Sequence, residues 1–195
     1  MERSFYVHPS ALCESEEIGE RSRVWAFAHV MNGARIGADC NVGDHAFVES
    51  GVVIGDRVTI KNGVAIWDGV TIADDVFLGP NCVLTNDLFP RSRVYHAENV
   101  PTVIGRGVSI GANATIVAGV TLGEYCMIGA GAVVVKDIPP FALMVGNPAR
   151  RIGWVGVRGE RLEFAGDTDG ISTEAGRYEL ADGTVRFQPG DRQPA

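Results

Sequence analysis

Between Asn86 and Pro101 the chain gathers Asn86, Asp87, Arg91, Arg93, Tyr95 and His96. Carboxamide, guanidinium and imidazole groups are the side chains that orient a polar ligand and grip its charge. Arg91 and Arg93 could pair with a diphosphate through charge-assisted hydrogen bonds, with Asn86 and Asp87 at the mouth of the same segment. The whole chain carries 24 Asp and Glu against 17 Lys and Arg, a formal charge of -7. That balance argues against nucleic acid or an anionic membrane as the main partner, so an anionic ligand must be met by a local cationic patch. His29, His45 and His96 could each serve as a base near neutral pH, although the sequence assigns none of them an acidic partner. The four cysteines form no C-x-x-C pair and the first ten residues lack the apolar run of a signal peptide, which makes the cytoplasm the expected compartment.

The elements that position these groups are written in a repeat. Every sixth residue from Leu12 to Leu84, and again from Ile104 to Val134, is Ile, Leu or Val. Two places before each of these teeth stands Ser, Ala, Cys, Val or Thr, with Glu16 the exception, and the residue after a tooth is often Gly. Glycine totals 25 of 195 residues, against an ordinary usage of about 7%. A short strand supplies a small and a large inward side chain at spacing two, and the turn after it needs backbone freedom. Three such strands make a triangular coil of about 18 residues. The expected fold is all-β, a parallel solenoid of about six coils. Cys40, Cys82 and Cys126 fall at the small inward position and read as buried hydrophobes.

The residue just before each tooth points outward. Ala11, His29, Phe47, Ala65 and Val83, continued by Thr115 and Val133, form the most apolar of the three faces, which is the expected subunit interface. Between the two comb segments, residues 86–101 exceed what the repeat needs by about 14 residues and must bulge out as an excursion loop. The solenoid is expected over 1–153. Residues 154–195 leave the period of six, and their alternating segments around an Ala181-Asp182-Gly183 turn predict a small β-hairpin extension with a frayed end.

The repeats, together with Gly111-Ala112-Asn113-Ala114-Thr115-Ile116, the run from Gly129 to Pro140 and Val145-Gly-Asn-Pro-Ala-Arg150, resemble the hexapeptide-repeat acyltransferases. Trp25, His29, Thr85-Asn86 and Pro90-Arg91-Ser92 resemble its sugar-nucleotide N-acetyltransferase branch, which includes the enzyme acting on UDP-2-acetamido-3-amino-2,3-dideoxyglucuronate. The resemblance implies a left-handed parallel β-helix, a homotrimer, and acetyl-CoA lying along the C-terminal coils with Lys136 and Arg150 or Arg151 near its phosphates. Ala112, Ala130 and Pro148, spaced by 18, leave room for the extended pantetheine arm. The implied reaction is acetylation of an amino group on a UDP- or dTDP-linked 3-amino sugar. Asn86 is then the main positioning residue and His29 a second catalytic candidate. The resemblance breaks in the tail, where this branch carries C-x-C and C-x-x-C: Gly156, Arg158, Ser172 and Ala175 stand at those positions, so no zinc is expected. A sugar O-acetyltransferase, a zinc carbonic anhydrase using His29, His45 and His96, and a non-enzymatic scaffold are the alternatives.

Overall fold

A computed structural model describes residues 4–94, 100–166 and 169–190. The comb becomes three parallel sheets of ten, seven and five strands wrapped about one axis, the ten-stranded sheet ending in antiparallel strands. Phe47 pairs with Ala65, Val53 with Thr71 and Thr59 with Phe77, so successive coils align 18 residues apart on every face. The teeth fill the axis: Ile60, Ile66, Ile72, Leu78 and Leu84 are all essentially inaccessible. Each buried Ile or Leu contributes about 1.5–3 kcal/mol. Most strands of this prism are only two residues long, so stability comes from stacking coil on coil rather than from any strand alone. Val83 pairs with Thr115, so the ladder closes over the excursion and the comb resumes in phase.

The seven-stranded sheet counts seven coils rather than about six, and the first of them joins the stack out of phase. Leu12 pairs with His29 and Cys13 with Val30, a spacing of 17. Leu12 is therefore not an inward tooth. It is 54% exposed and takes the outward place expected for Ala11. The shift is absorbed before Ile18, which bridges Ile36 in the regular phase. Ser15, not the anomalous Glu16, is buried there. Its hydroxyl donates to the Ala34 carbonyl at 2.6 Å and accepts from the Glu17 amide at 3.0 Å. The other end is irregular too. Ile128 pairs with Met144, and Leu122 bridges Ile138, each 16 apart.

One corner of the prism repeats a left-handed backbone residue in every coil: Arg21, Asp39, Arg57 and Asp75, then Gly107, Tyr125 and Phe141, with φ between 56° and 67°. The first four form a charge ladder. Arg21 grips Asp39 with two hydrogen bonds of 2.7 Å, Arg57 reaches Asp75 at 2.6 Å, and Arg106 reaches the same carboxylate at 2.9 Å. Arg57 and Arg106 hold the Asp75 carboxyl below the usual carboxylate range. A depressed folded-state pKa contributes stability that is present above the unfolded value and lost as pH falls through the folded one. Asp75→Asn should therefore lower stability by about 1 kcal/mol at pH 7. Its deficit against the wild type should close below about pH 4 in acid melting curves. A pH-independent deficit would show that the ladder acts by packing alone.

Above Gly107 the ladder turns aromatic and leads into the C-terminal elements. Tyr125 stacks on Phe141 at 5.5 Å, and Phe141 meets Tyr178 edge-on at 5.7 Å. Tyr178 is fully buried within the Gly176–Ala181 strand, the centre of a three-stranded antiparallel sheet. The expected turn is present: Asp182 and Gly183 both have positive φ (52° and 70°), as a two-residue hairpin loop requires. The Arg150–Val155 strand runs antiparallel to Ala142–Val145 and crosses residue 153, so solenoid and extension share a strand there. Trp154, Leu162, Tyr178, Leu180 and Val185 belong to the same hydrophobic cluster as the solenoid teeth, so the extension covers the end of the core.

Candidate functional site

The mouth of the excursion is fixed by the last regular residues of its coil. The Thr85 amide donates to the Ile116 carbonyl at 3.0 Å, and its hydroxyl oxygen accepts from the Ala118 amide at 2.9 Å. Asn86 follows, half-buried, with no hydrogen bond to any other described residue. The Asp87 carboxylate accepts from the Phe89 amide at 2.8 Å, an Asx-turn that starts the loop. Arg91 and Val94 then bridge, with Arg93 at φ 63°. Asn86, Asp87, Arg91 and Arg93 are thus brought into one loop. Both guanidinium groups are exposed, and neither has a carboxylate partner among the described residues. Tyr95 and His96 lie outside the described residues.

His29 sits on the apolar face, edge-on to Phe47. Its Nε2 is buried without a hydrogen-bond partner and lies 3.8 Å from the Glu14 carboxylate, too far for a hydrogen bond. Glu14 is the acidic neighbour that sequence reading did not identify, because it is presented by the out-of-phase first coil. His29 pairs with Phe47, Phe47 with Ala65 and Ala65 with Val83, so three coils separate it from the mouth. At the spacing of β-strands that is roughly 14 Å. The structure does not bring His29 and Asn86 together within one chain. His45 occupies another corner, exposed and stacked on Phe27 at 5.1 Å. Among the described residues no group of three His, Cys, Asp or Glu side chains could hold a metal ion.

At the C-terminal end Lys136, Arg150 and Arg151 line one recess of about 180 Å³ together with Met144 and Ala149. These three cations converge although the sequence separates Lys136 from the arginines. The Arg151 guanidinium lies 4.3 Å over the Trp154 ring and donates to the Gly183 carbonyl at 3.2 Å, so the extension fixes its direction. Asp137 also lines the recess, its carboxylate accepting from the Thr121 amide at 2.7 Å. No carboxylate pairs with any of the three cations among the described residues, which leaves a net positive recess suited to a phosphate. Ala112 and Ala130 stack on adjacent coils, the Ala112 carbonyl accepting from the Gly131 amide at 2.9 Å. Pro148 does not complete that column. The Ile128–Met144 register is 16 rather than 18. Past it the chain turns so that the Gly146 carbonyl accepts from the Val133 amide at 3.0 Å and the Ala149 amide donates to the Val133 carbonyl at 2.8 Å, which breaks the spacing that placed Pro148 over Ala130.

The tail positions where zinc ligands were absent hold a different network. The Val157 amide donates to the Tyr178 hydroxyl at 2.9 Å, and Arg158 meets Glu174 at 3.4 Å. One coil below the mouth Trp67, which sequence reading did not single out, packs its ring on Phe47 of the apolar face at 5.3 Å. The signal for Trp67 was its place immediately after a tooth, 18 residues before Thr85.

Comparison with known proteins supplies the family. Residues 17–50, 51–86 and 101–136 match the family described as bacterial transferase hexapeptide (six repeats). The chain is 53% identical over 180 residues to dTDP-3-amino-3,6-dideoxy-alpha-D-galactopyranose 3-N-acetyltransferase of Aneurinibacillus thermoaerophilus, covering 92% of this chain and 93% of that protein. It is 49% identical to a chloramphenicol acetyltransferase of Agrobacterium fabrum over 51 residues only, 26% of this chain and 24% of the other. A crystal structure of a variant of AntD, an N-acyltransferase from Bacillus cereus in complex with dTDP and coenzyme A, superposes with a TM-score of 0.63 at 19% identity, over 70% of this chain and 83% of that one. That likeness is one of fold. The matched repeats, the coils they form and the near full-length relative agree: the chain belongs to the bacterial transferase hexapeptide family.

Proposed function

We propose that this protein transfers the acetyl group of acetyl-CoA to the 3-amino group of a dTDP-linked 3-amino-3,6-dideoxyhexose. The 53% identity over 92% of the chain to an enzyme of that activity carries the reading. The geometry supports it with a cationic recess at one end and a polar loop mouth on the adjoining coils. In this reading the phosphates of acetyl-CoA meet Lys136, Arg150 and Arg151, and the arm runs past Ala130 and Ala112. The nucleotide diphosphate meets Arg91 and Arg93, and Asn86 with Asp87 orients the sugar. The neutral amine attacks the thioester carbonyl, the tetrahedral intermediate collapses, and the departing thiolate takes the proton released by the new amide. Positioning is then the protein's main contribution.

The assembly in this reading is a homotrimer with the outward side of the seven-stranded sheet at its interface. Leu12 is 54% and Val83 47% exposed on that side, an apolar stripe with no partner inside one chain. The compartment is the cytoplasm, where acetyl-CoA is available and thiols stay reduced. Cys40, Cys82 and Cys126 are buried free thiols. Burial pushes the thiols of Cys82 and Cys126 up to about 12, which leaves them inert.

The test is thiol release from acetyl-CoA with dTDP- and UDP-linked 3-amino sugars, with product mass and hydroxylamine stability to separate an amide from an ester. A hydroxylamine-stable acetyl product on the dTDP-linked 3-amino sugar is expected. Release with no amino sugar would end the reading. A double Lys136→Ala, Arg150→Ala variant should raise the KM for acetyl-CoA about tenfold, as loss of roughly 1.4 kcal/mol of phosphate binding implies. Its KM for the sugar should be unchanged, and a variant affecting both substrates equally would place the cofactor elsewhere.

A further inference from the structure

The outward side of the seven-stranded sheet carries a column of rings. His29 meets Phe47 with centroids 5.4 Å apart, and Phe47 meets Trp67 at 5.3 Å. The column stops beneath the excursion. Trp67 follows the tooth Ile66 and Thr85 follows Leu84, and these two strands are neighbours, so Trp67 lies one coil below Thr85 and Asn86.

The ladder parts at this rung. The Ala65–Ile66 and Val83–Leu84 strands share a single pair, Ala65 with Val83, where every other pairing in the sheet has two. At the equivalent place the amides of Glu49 and Thr85 donate to Ile66 and Ile116 at 2.9 and 3.0 Å. The Trp67 amide finds no such acceptor among the described residues. Yet the turn behind it is pinned. The Glu49 carboxylate accepts from the Asp68 amide at 2.8 Å, and the Asp68 carboxylate accepts from the Gly69 amide at 2.8 Å. Trp67 is thus a half-buried indole on a pinned turn, backed by Phe47 and one coil below the loop mouth.

We propose that Trp67, supported by Phe47, determines which sugar the enzyme accepts, by receiving the apolar edge of a 6-deoxyhexose while Asn86 faces its polar side. This rests on the reading of the acceptor as a nucleotide-linked amino sugar. A C6 methyl against the indole loses only water, whereas a C6 hydroxyl in the same place is desolvated without a partner. A carboxylate at C6 against the same ring is desolvated as an unpaired charge, at a still higher cost. The acceptor order is therefore 6-deoxy, then 6-hydroxy, then 6-carboxylate.

The experiment compares kcat/KM for dTDP-linked 3-amino-6-deoxyhexose and its 6-hydroxy counterpart in the wild type, Trp67→Ala and Trp67→Phe. The wild type should favour the 6-deoxy sugar by about 10- to 100-fold. Trp67→Ala should bring the ratio near unity by raising the acceptor KM, with the KM for acetyl-CoA unchanged, and Trp67→Phe should fall between. A second readout needs no turnover: titrating dTDP-linked 6-deoxyhexose without acetyl-CoA should quench tryptophan fluorescence in the wild type and not in Trp67→Phe, which keeps Trp25 and Trp154. An unchanged ratio in a folded variant overturns the proposal. So does a quench that survives Trp67→Phe, or subunit dissociation in both variants, which would make the ring a packing element. A wild type that turns over the nucleotide amino sugars without regard to C6 overturns the assignment to Trp67 alone. One that turns over none of them overturns the substrate reading beneath it.

Discussion

Replacing Asn86 with alanine should lower kcat for acetyl transfer by about 100-fold or more, with the melting temperature and the KM for acetyl-CoA close to those of the wild type. Losing one well-placed polar group at a reacting centre costs about this much. The expected split between activity and stability comes from the surroundings of Asn86. Its coil is already closed by Thr85, whose hydroxyl oxygen accepts from Ala118, and the Asn86 carboxamide bonds to no described residue of the fold. A side chain with no internal partner contributes little to folding, so its removal reads directly on the ligand. His29→Gln is the internal control. Three coils below the mouth, it should keep kcat within about threefold, because roughly 14 Å is beyond any proton transfer. Steady-state kinetics on both variants with a saturating dTDP-amino sugar decide it. If Asn86→Ala keeps a third of its activity while His29→Gln collapses, the roles assigned to them are reversed.

The period of six made most of this fold legible before any coordinates, because each tooth must face the axis and each glycine after it must sit close to the next coil. What it could not show were the two ends. A comb counted from Leu12 cannot reveal that one residue is dropped between Cys13 and Ile18, since Leu12 is as apolar as any tooth. Only Glu16, a carboxylate at an inward position, hinted at the slip that Ser15 resolves. At the other end the same arithmetic assigned Pro148 to the cofactor groove, and a last coil two residues short, with Gly146 and Ala149 bonded to Val133, breaks that spacing. The candidate site was legible in its loop, where Asn86, Asp87, Arg91 and Arg93 follow one another. The convergence of Lys136 with Arg150 and Arg151 needed the family resemblance, because the strand reversal that joins them leaves no periodic trace. Trp67 was missed for a physical reason. A position just after a tooth is a corner, and whether a corner ring is buried, packed or open depends on the rung above it.

Gly111 and Gly131 test the closeness of that stacking, since they belong to adjacent coils and have opposite surroundings. A Cβ added at Gly111 would lie 2.5 Å from the Ala130 amide nitrogen and 2.8 Å from the Gly129 carbonyl carbon, both backbone atoms. Those atoms cannot withdraw without opening the ladder, in which the Gly111 amide donates to Ile128 at 2.7 Å. Gly111→Ala should therefore cost about 3 kcal/mol. For a chain of this size that lowers Tm by about 10 °C. Gly131 has φ +69° but nothing within 4 Å of an added Cβ. Its alanine variant bears only the left-handed backbone penalty of about 1 kcal/mol. The site should register the same contrast. Gly111 immediately precedes Ala112 in the proposed pantetheine groove, so a displaced coil there should raise the KM for acetyl-CoA. Gly131 is in the open, and its variant should leave that KM alone. Thermal melts and acetyl-CoA titrations of the two proteins read both effects, and equal losses of Tm would mean that coil spacing yields more easily than the contact distances imply.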